Sequence, residues 1–174
     1  MCNSFCFVLT FFLTIYVGTV AASAQMFSRG NGLVNEAAHA LNRDNWDRGV
    51  ALARQALKSG ELTPNNIPAA LNNLCIGLTG QKKYLEAMKN CNAAIKRKPR
   101  EWIFYNNRAN IYFFERKFDR ALSDYYKALT FSRGDSVLLT NISLTLRHRK
   151  QFGIQPKKKK FEVSDCYVRC GNSN

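Results

Sequence analysis

The stretch from Tyr105 to Leu129, YNNRANIYFFERKFDRALSDYYKAL, has a copy earlier in the chain. This copy, LNNLCIGLTGQKKYLEAMKNCNAAI, begins at Leu71, thirty-four residues before Tyr105. Matching positions carry similar residues throughout, as in Leu71 with Tyr105, Asn73 with Asn107, Leu78 with Tyr112, Ala87 with Ala121 and Ala94 with Ala128. A further shift of thirty-four reaches a shorter copy that contains Leu139, Asn141, Ile142 and Leu146. A fixed period of this length indicates an array of structural units.

Within each copy the apolar residues have helical spacing, at i, i+3, i+4 and i+7. One apolar stripe of the earlier copy contains Leu71, Leu74, Cys75 and Leu78, and a second contains Tyr84, Ala87, Met88, Cys91, Ala94 and Ile95. The polar residues TGQKK lie between the two stripes, and Pro99 follows the second. Because proline does not continue a helix, each unit is predicted to be a pair of helices joined by a short turn.

A helix pair that repeats every thirty-four residues resembles the tetratricopeptide repeat (TPR) family. The resemblance implies an all-α fold, a short TPR solenoid of about three helix pairs plus a C-terminal capping helix. We predict an array over 25–150, with units at about 30–63, 68–101 and 102–135 and the capping helix at 136–149. Four extra residues, Pro64 to Ile67, precede the second unit, and Arg108 stands where the family commonly has Leu.

Similarity to TPR arrays also implies a function, since these present the first helix of each pair to a concave groove that takes a peptide or partner segment. On that helix Asn35, Asn73, Asn107 and Asn141 recur at one phase. A side-chain amide has two donors and an acceptor, so such a row could pair with the backbone of an extended peptide. The alternative is that the amides tie neighbouring helices together. The predicted groove residues are Asn72, Asn73, Asn106, Asn107, Asn110, Asn141, Phe113 and Phe114.

The expected partner is therefore a protein or peptide. TPR domains of the carboxylate-clamp type carry Lys and Arg on this face, whereas asparagines occupy the matching region here, so chaperone C-termini are poor candidates. The chain has only two histidines, and it lacks a phosphate loop or a local catalytic triad signature. We expect no enzymatic activity, no cofactor, no metal and no small-molecule substrate.

Charge suggests a second kind of partner, because 26 Lys and Arg against 12 Asp and Glu give a net charge of +14. Residues 151–174 are predicted to be a basic, unpacked tail that contains Lys157, Lys158, Lys159 and Lys160. These lysines could hold an anionic polymer or membrane surface, or could simply keep the chain soluble. The alternative function is thus a basic adaptor in which the TPRs serve as structural support.

Residues 1–24 are predicted to be a signal peptide. Phe5 to Val20 is an uncharged apolar run, and Ala22-Ser23-Ala24 is a small-x-small cleavage site. The expected location is therefore outside the cytoplasm, periplasmic or secreted. The alternative is an uncleaved N-terminal helix that anchors the protein, since Phe5 to Ala24 is just long enough to span a bilayer.

Four cysteines follow the apolar leader, and an even number fits an oxidising compartment. Cys75 and Cys91 occupy facing small positions of one helix pair and are predicted to form a disulfide. The alternative is that both are free thiols packed in the core. Cys166 and Cys170 could close a second, smaller loop.

Overall fold

The computed structural model describes residues 30–153, and these form helices joined by turns, with no strand among them. The predicted signal peptide, the tail lysines Lys157–Lys160 and the pair Cys166 and Cys170 lie outside the described residues. No helix within 30–153 combines the length and the apolar character needed to cross a membrane. The helices are α1 over 30–41, α2 Trp46–Lys58, α3 Ile67–Gly80, α4 Tyr84–Arg97, α5 Trp102–Phe114, α6 Phe118–Phe131 and α7 Ser136–Gln151.

Local sequence explains where several helices begin. The Asn45 side chain accepts a hydrogen bond from the backbone N–H of Arg48, and Asp135 accepts from those of Val137 and Leu138. Such caps satisfy N–H groups that have no partner within the helix. Pro68 stands in the first turn of α3, where its missing N–H costs nothing.

The helices form three pairs, α1 with α2, α3 with α4 and α5 with α6, and α7 packs against α6. Within the second pair and within the third, a three-residue turn joins the two helices, so these run antiparallel. Fully buried alanines recur at the crossings, which lets the helices approach closely. They include Ala37, Ala53, Ala87, Ala109, Ala121 and Ala128. The predicted all-α repeat fold is confirmed.

The turn inside each pair has the same geometry. Asp44, Lys82 and Arg116 have φ angles of 57°, 60° and 59°, and the second helix begins two residues later in each case. Lys82 and Arg116 are thirty-four residues apart, whereas Asp44 precedes Lys82 by thirty-eight. The difference equals the four extra residues before the second unit, so the insertion leaves the turn unchanged.

A disulfide joins Cys75 of α3 to Cys91 of α4 inside this array. Both cysteines are fully buried, and their Cα atoms are 5.2 Å apart, within the range that disulfides span. The crosslink therefore lies in the core of the second pair, among Leu74, Leu78 and Ala87.

Candidate functional site

The asparagines of the first helices bond to one another across the array. Asn73 donates through Nδ2 to the backbone oxygen of Val34 at 2.9 Å. Asn107 donates to Asn72 Oδ1, and Asn141 donates to Asn106 Oδ1, each also at 2.9 Å. The last two bonds each span thirty-five residues, and the first spans thirty-nine because of the four-residue insertion. We call this series the asparagine ladder.

The ladder is continuous from α3 through α5 to α7, since Asn106 Nδ2 donates to Asn107 Oδ1 at 3.3 Å. Asn72, Asn73, Asn106 and Asn107 are buried, with 5–8% of their surface exposed, and Asn141 is half-buried. Each rung uses an amide hydrogen inside the protein, where an unpaired polar group would be costly. This is the arrangement that the helix-tie alternative describes.

Asn107→Ala is expected to lower the free energy of unfolding by about 1–3 kcal/mol, because it leaves buried amide atoms of Asn72 and Asn106 without their partners. Urea denaturation monitored by far-UV circular dichroism measures the change. The control is Asn141→Ala, which removes one bond at a half-buried position and should cost less. Wild-type stability of the Asn107 variant, combined with weaker partner binding, would instead support direct contact of the amide with a peptide.

Two of the other predicted groove residues make contacts within the array. Phe113 packs edge-on against Phe118 and His148, with ring centroids 5.7 and 5.2 Å away. Asn110 Oδ1 accepts a hydrogen bond from the Tyr125 hydroxyl at 2.5 Å. Burial raises the pKa of that hydroxyl above its ordinary value, which keeps it protonated as the donor.

Phe114 is a predicted groove residue whose side chain is exposed to solvent. It is 56% exposed and stacks on Tyr84 with a centroid distance of 6.3 Å. Phe114 follows Asn107 by seven residues, which places both on the same side of α5. Of the two adjacent phenylalanines, the structure therefore leaves only Phe114 accessible on the side of the amides.

More apolar residues share the side of the first helices that carries the ladder. Positions four before and three after each asparagine lie on its side of the helix. In α7 these positions are Val137, 53% exposed, and Leu144, 37% exposed. We define the neutral face by its large apolar members, which are Ile76, Ile103, Phe114, Val137 and Leu144.

Where α3 and α5 form it, the neutral face has almost no charged residues. Helix α3 contains no charged residue, and Arg108 is the only one in α5. Arg108 is turned towards α6, where Nε and Nη2 each lie 2.7 Å from an oxygen of Asp124. These hydrogen bonds raise the pKa of Arg108, and Nη1 donates to Asn92 of α4 at 2.7 Å.

Sequence reasoning noted Arg108 as a departure from the family pattern but did not find its partner. Asp124 follows Arg108 by sixteen residues, the same separation that joins Cys75 to Cys91. The shared separation indicates the contact in the sequence, because residues sixteen apart at these positions face each other across the two helices of one unit. Arg108 thus holds α5 to α6 and is not available to a ligand's carboxylate on the neutral face.

Solved structures of TPR domains are similar to this chain over most of its length. The first TPR of Spaghetti (RPAP3) bound to the HSP90 peptide SRMEEVD matches with a TM-score of 0.61 and 16% identity, covering 70% of this chain and 95% of that one. The Sgt2 TPR domain from Aspergillus fumigatus matches with a TM-score of 0.61 and 17% identity, covering 80% of this chain and 93% of that one. The TPR2B domain of yeast Sti1 in complex with pHsp70 matches with a TM-score of 0.60 and 17% identity, covering 70% of this chain and 99% of that one.

No protein-family model matches the sequence, and no curated protein matches it. The likeness to the solved structures is therefore one of backbone geometry at low sequence identity. It agrees with the thirty-four-residue period, the paired helices and the repeated turns described above. The described part of the chain has a TPR-like helical repeat fold.

Proposed function

We propose that this protein is an exported, non-enzymatic binding module that takes a peptide or partner segment on its neutral face. The observation that carries the proposal is the near absence of charged residues from α3 and α5, in a chain whose net charge is +14. Exposed Phe114, Val137 and Leu144 offer apolar contact there. Such a surface suits a partner segment with uncharged, largely apolar side chains. Export rests on the apolar run and cleavage site in residues 1–24.

Similar TPR domains support a peptide-binding role. The Spaghetti (RPAP3) structure holds the HSP90 peptide SRMEEVD, and a second RPAP3 domain holds the HSP70 peptide SGPTIEEVD. Both peptides end in Glu-Glu-Val-Asp, which calls for cationic side chains on the binding surface. Helices α3 and α5 provide only Arg108, which is already paired with Asp124. The proposed partner is accordingly not an acidic C-terminus.

The test uses two matched double variants within α7. Val137→Asp with Leu144→Asp places charge on the neutral face. Leu139→Asp with Leu146→Asp alters side chains of similar exposure, 47% and 37%, that lie on the side of the helix opposite Asn141. Peptides are first selected from a displayed random library against the wild-type protein. We expect the neutral-face variant to lose at least about tenfold in affinity for these peptides, because each buried apolar contact contributes about 1 kcal/mol or more.

The control variant should bind the selected peptides within about twofold of wild type, and circular dichroism should show that both variants fold. The peptide SRMEEVD should bind wild type no better than a scrambled sequence. Equal loss in the two double variants, or binding of SRMEEVD as tight as that of the selected peptides, would contradict the assignment to the neutral face.

A further inference from the structure

The turns within the helix pairs lie along one edge of the array and are joined by side-chain contacts. Gln81 Nε2 donates to Asp47 Oδ1 at 2.6 Å, which links the first two turns. Tyr84 stacks on Phe114, and Arg116 lies 4.5 Å from the ring centroid of Phe152 at the end of α7. We call the part of this surface formed by the second and third turns and the end of α7 the turn edge, comprising 81–89, 114–120 and 147–152.

The turn edge is strongly basic. Its three segments contain nine Lys and Arg against three Asp and Glu, which is +6 of the net charge of the chain. Eight of the cationic side chains are exposed and belong to residues Lys82, Lys83, Lys89, Arg116, Lys117, Arg120, Arg147 and Lys150. Glu86, the acidic residue of the segment 81–89, is paired with Arg54 at 2.7 Å, and Glu115 and Asp119 are paired with Lys117 and Arg149 at 3.0 and 3.1 Å. Anionic groups are therefore attracted to this edge.

Exposed apolar side chains lie among these charges. Leu85 is 77% exposed, Phe114 56% and Phe152 43%. Apart from four residues of α7, these are the exposed large hydrophobic side chains of the described chain. A solvated basic surface gains nothing from holding Leu85 in water, so this combination indicates a ligand that is both anionic and apolar.

We propose that the turn edge binds the surface of an anionic lipid bilayer. Lys and Arg side chains contact lipid headgroups, while Leu85 and the two phenylalanines reach the boundary of the acyl chains. The apolar residues favour a bilayer over a nucleic acid. Leu85 has no ring to stack on a base, and Phe114 and Phe152 already stack on Tyr84 and Phe118.

The turn edge and the neutral face are separate surfaces, since one is formed by the ends of helices and the other by their sides. The proposal consequently does not depend on the proposed peptide binding, although Phe114 lies where the two surfaces meet. The lysine run Lys157–Lys160 begins four residues after Gly153, the last described residue. These lysines lie outside the described residues, and the proposal does not rest on them.

The experiment measures co-sedimentation of the full chain with phosphatidylcholine vesicles, with and without phosphatidylglycerol. The neutral vesicles give the baseline, including any binding by the apolar run in residues 1–24. The edge variant removes four charges and uses Asn at the two positions of positive φ, where Asn is tolerated. It is Lys82→Asn, Lys83→Gln, Arg116→Asn and Lys117→Gln. The control removes four charges at the opposite ends of the helices, as Lys96→Gln, Arg97→Gln, Lys98→Gln and Arg100→Gln.

We expect the gain in affinity that phosphatidylglycerol provides to fall at least about tenfold in the edge variant. Each cation near such a surface raises the affinity by up to about fivefold. The control should lose less than about threefold. Leu85→Ser should weaken binding most at high salt, where electrostatic attraction is screened, whereas Leu139→Ser should not. Equal losses in the two quadruple variants, unchanged binding of the edge variant or of Leu85→Ser at high salt, or preference for single-stranded RNA over the vesicles would overturn the proposal.

Discussion

Arg108→Met is expected to lower the free energy of unfolding by about 2–4 kcal/mol, since it leaves the Asp124 carboxylate without its cation in the interior. The Asp124 side chain is only 10% exposed, and both of its oxygens accept from Arg108. Methionine keeps much of the volume of the arginine stem, so the loss comes mainly from the unpaired charge. Urea denaturation at neutral pH measures this change.

The array provides a matched control for this variant. Arg54 and Glu86 also lie 2.7 Å apart, but their side chains are 46% and 47% exposed. Arg54→Met should therefore cost no more than about 1 kcal/mol. Adding Asp124→Leu to Arg108→Met should recover most of the lost stability, because the charge is then absent. Similar losses for Arg108→Met and Arg54→Met would show that burial does not strengthen the Arg108 pair.

Reduction of the Cys75–Cys91 disulfide is expected to lower the free energy of unfolding by about 3 kcal/mol. The crosslink closes a loop of sixteen residues between α3 and α4, and opening it increases the conformational entropy of the unfolded chain. Urea denaturation with and without reductant measures the effect. The variant Cys75→Ala with Cys91→Ala should show the lower stability in both conditions.

Two further measurements complete this test. The variant Cys166→Ala with Cys170→Ala should still respond to reductant, which separates the core disulfide from the second predicted pair. Alkylation of the unreduced, denatured protein should leave Cys75 and Cys91 unlabelled in a mass spectrum. Labelling of both residues in that sample would show that they are free thiols packed in the core.

The sequence was sufficient to predict the helix pairs, because the repeat period and the apolar stripes are local properties of each unit. The stripe from Tyr84 to Ile95 predicted the course of α4, which the structure places at Tyr84–Arg97. Cys75 and Cys91 were predictable as neighbours because both occupy small positions of one pair. Each of these inferences needed only the geometry of a helix and a short turn.

The direction of the amides was not predictable in this way. A fixed phase places Asn107 on one side of α5, but whether Nδ2 meets a peptide or Asn72 depends on how closely α3 approaches. Phe113 and Phe114 pose the same difficulty, since adjacent residues differ by one hundred degrees around a helix. The packing of α7 decides which ring is covered, as His148 lies against Phe113.

The asparagine ladder has a consequence for which changes in length this chain can tolerate. Its rungs are directional, so each amide must face one particular partner on the preceding first helix. Four residues added between α2 and α3 leave the rung from Asn73 to Val34 in place. One residue added inside α5 ahead of Asn107 would turn the amide away from Asn72 by a quarter of a revolution or more. The connection between two units can thus change in length, as it does before α3, whereas each asparagine must keep its position relative to the residues that pack around it on its own helix.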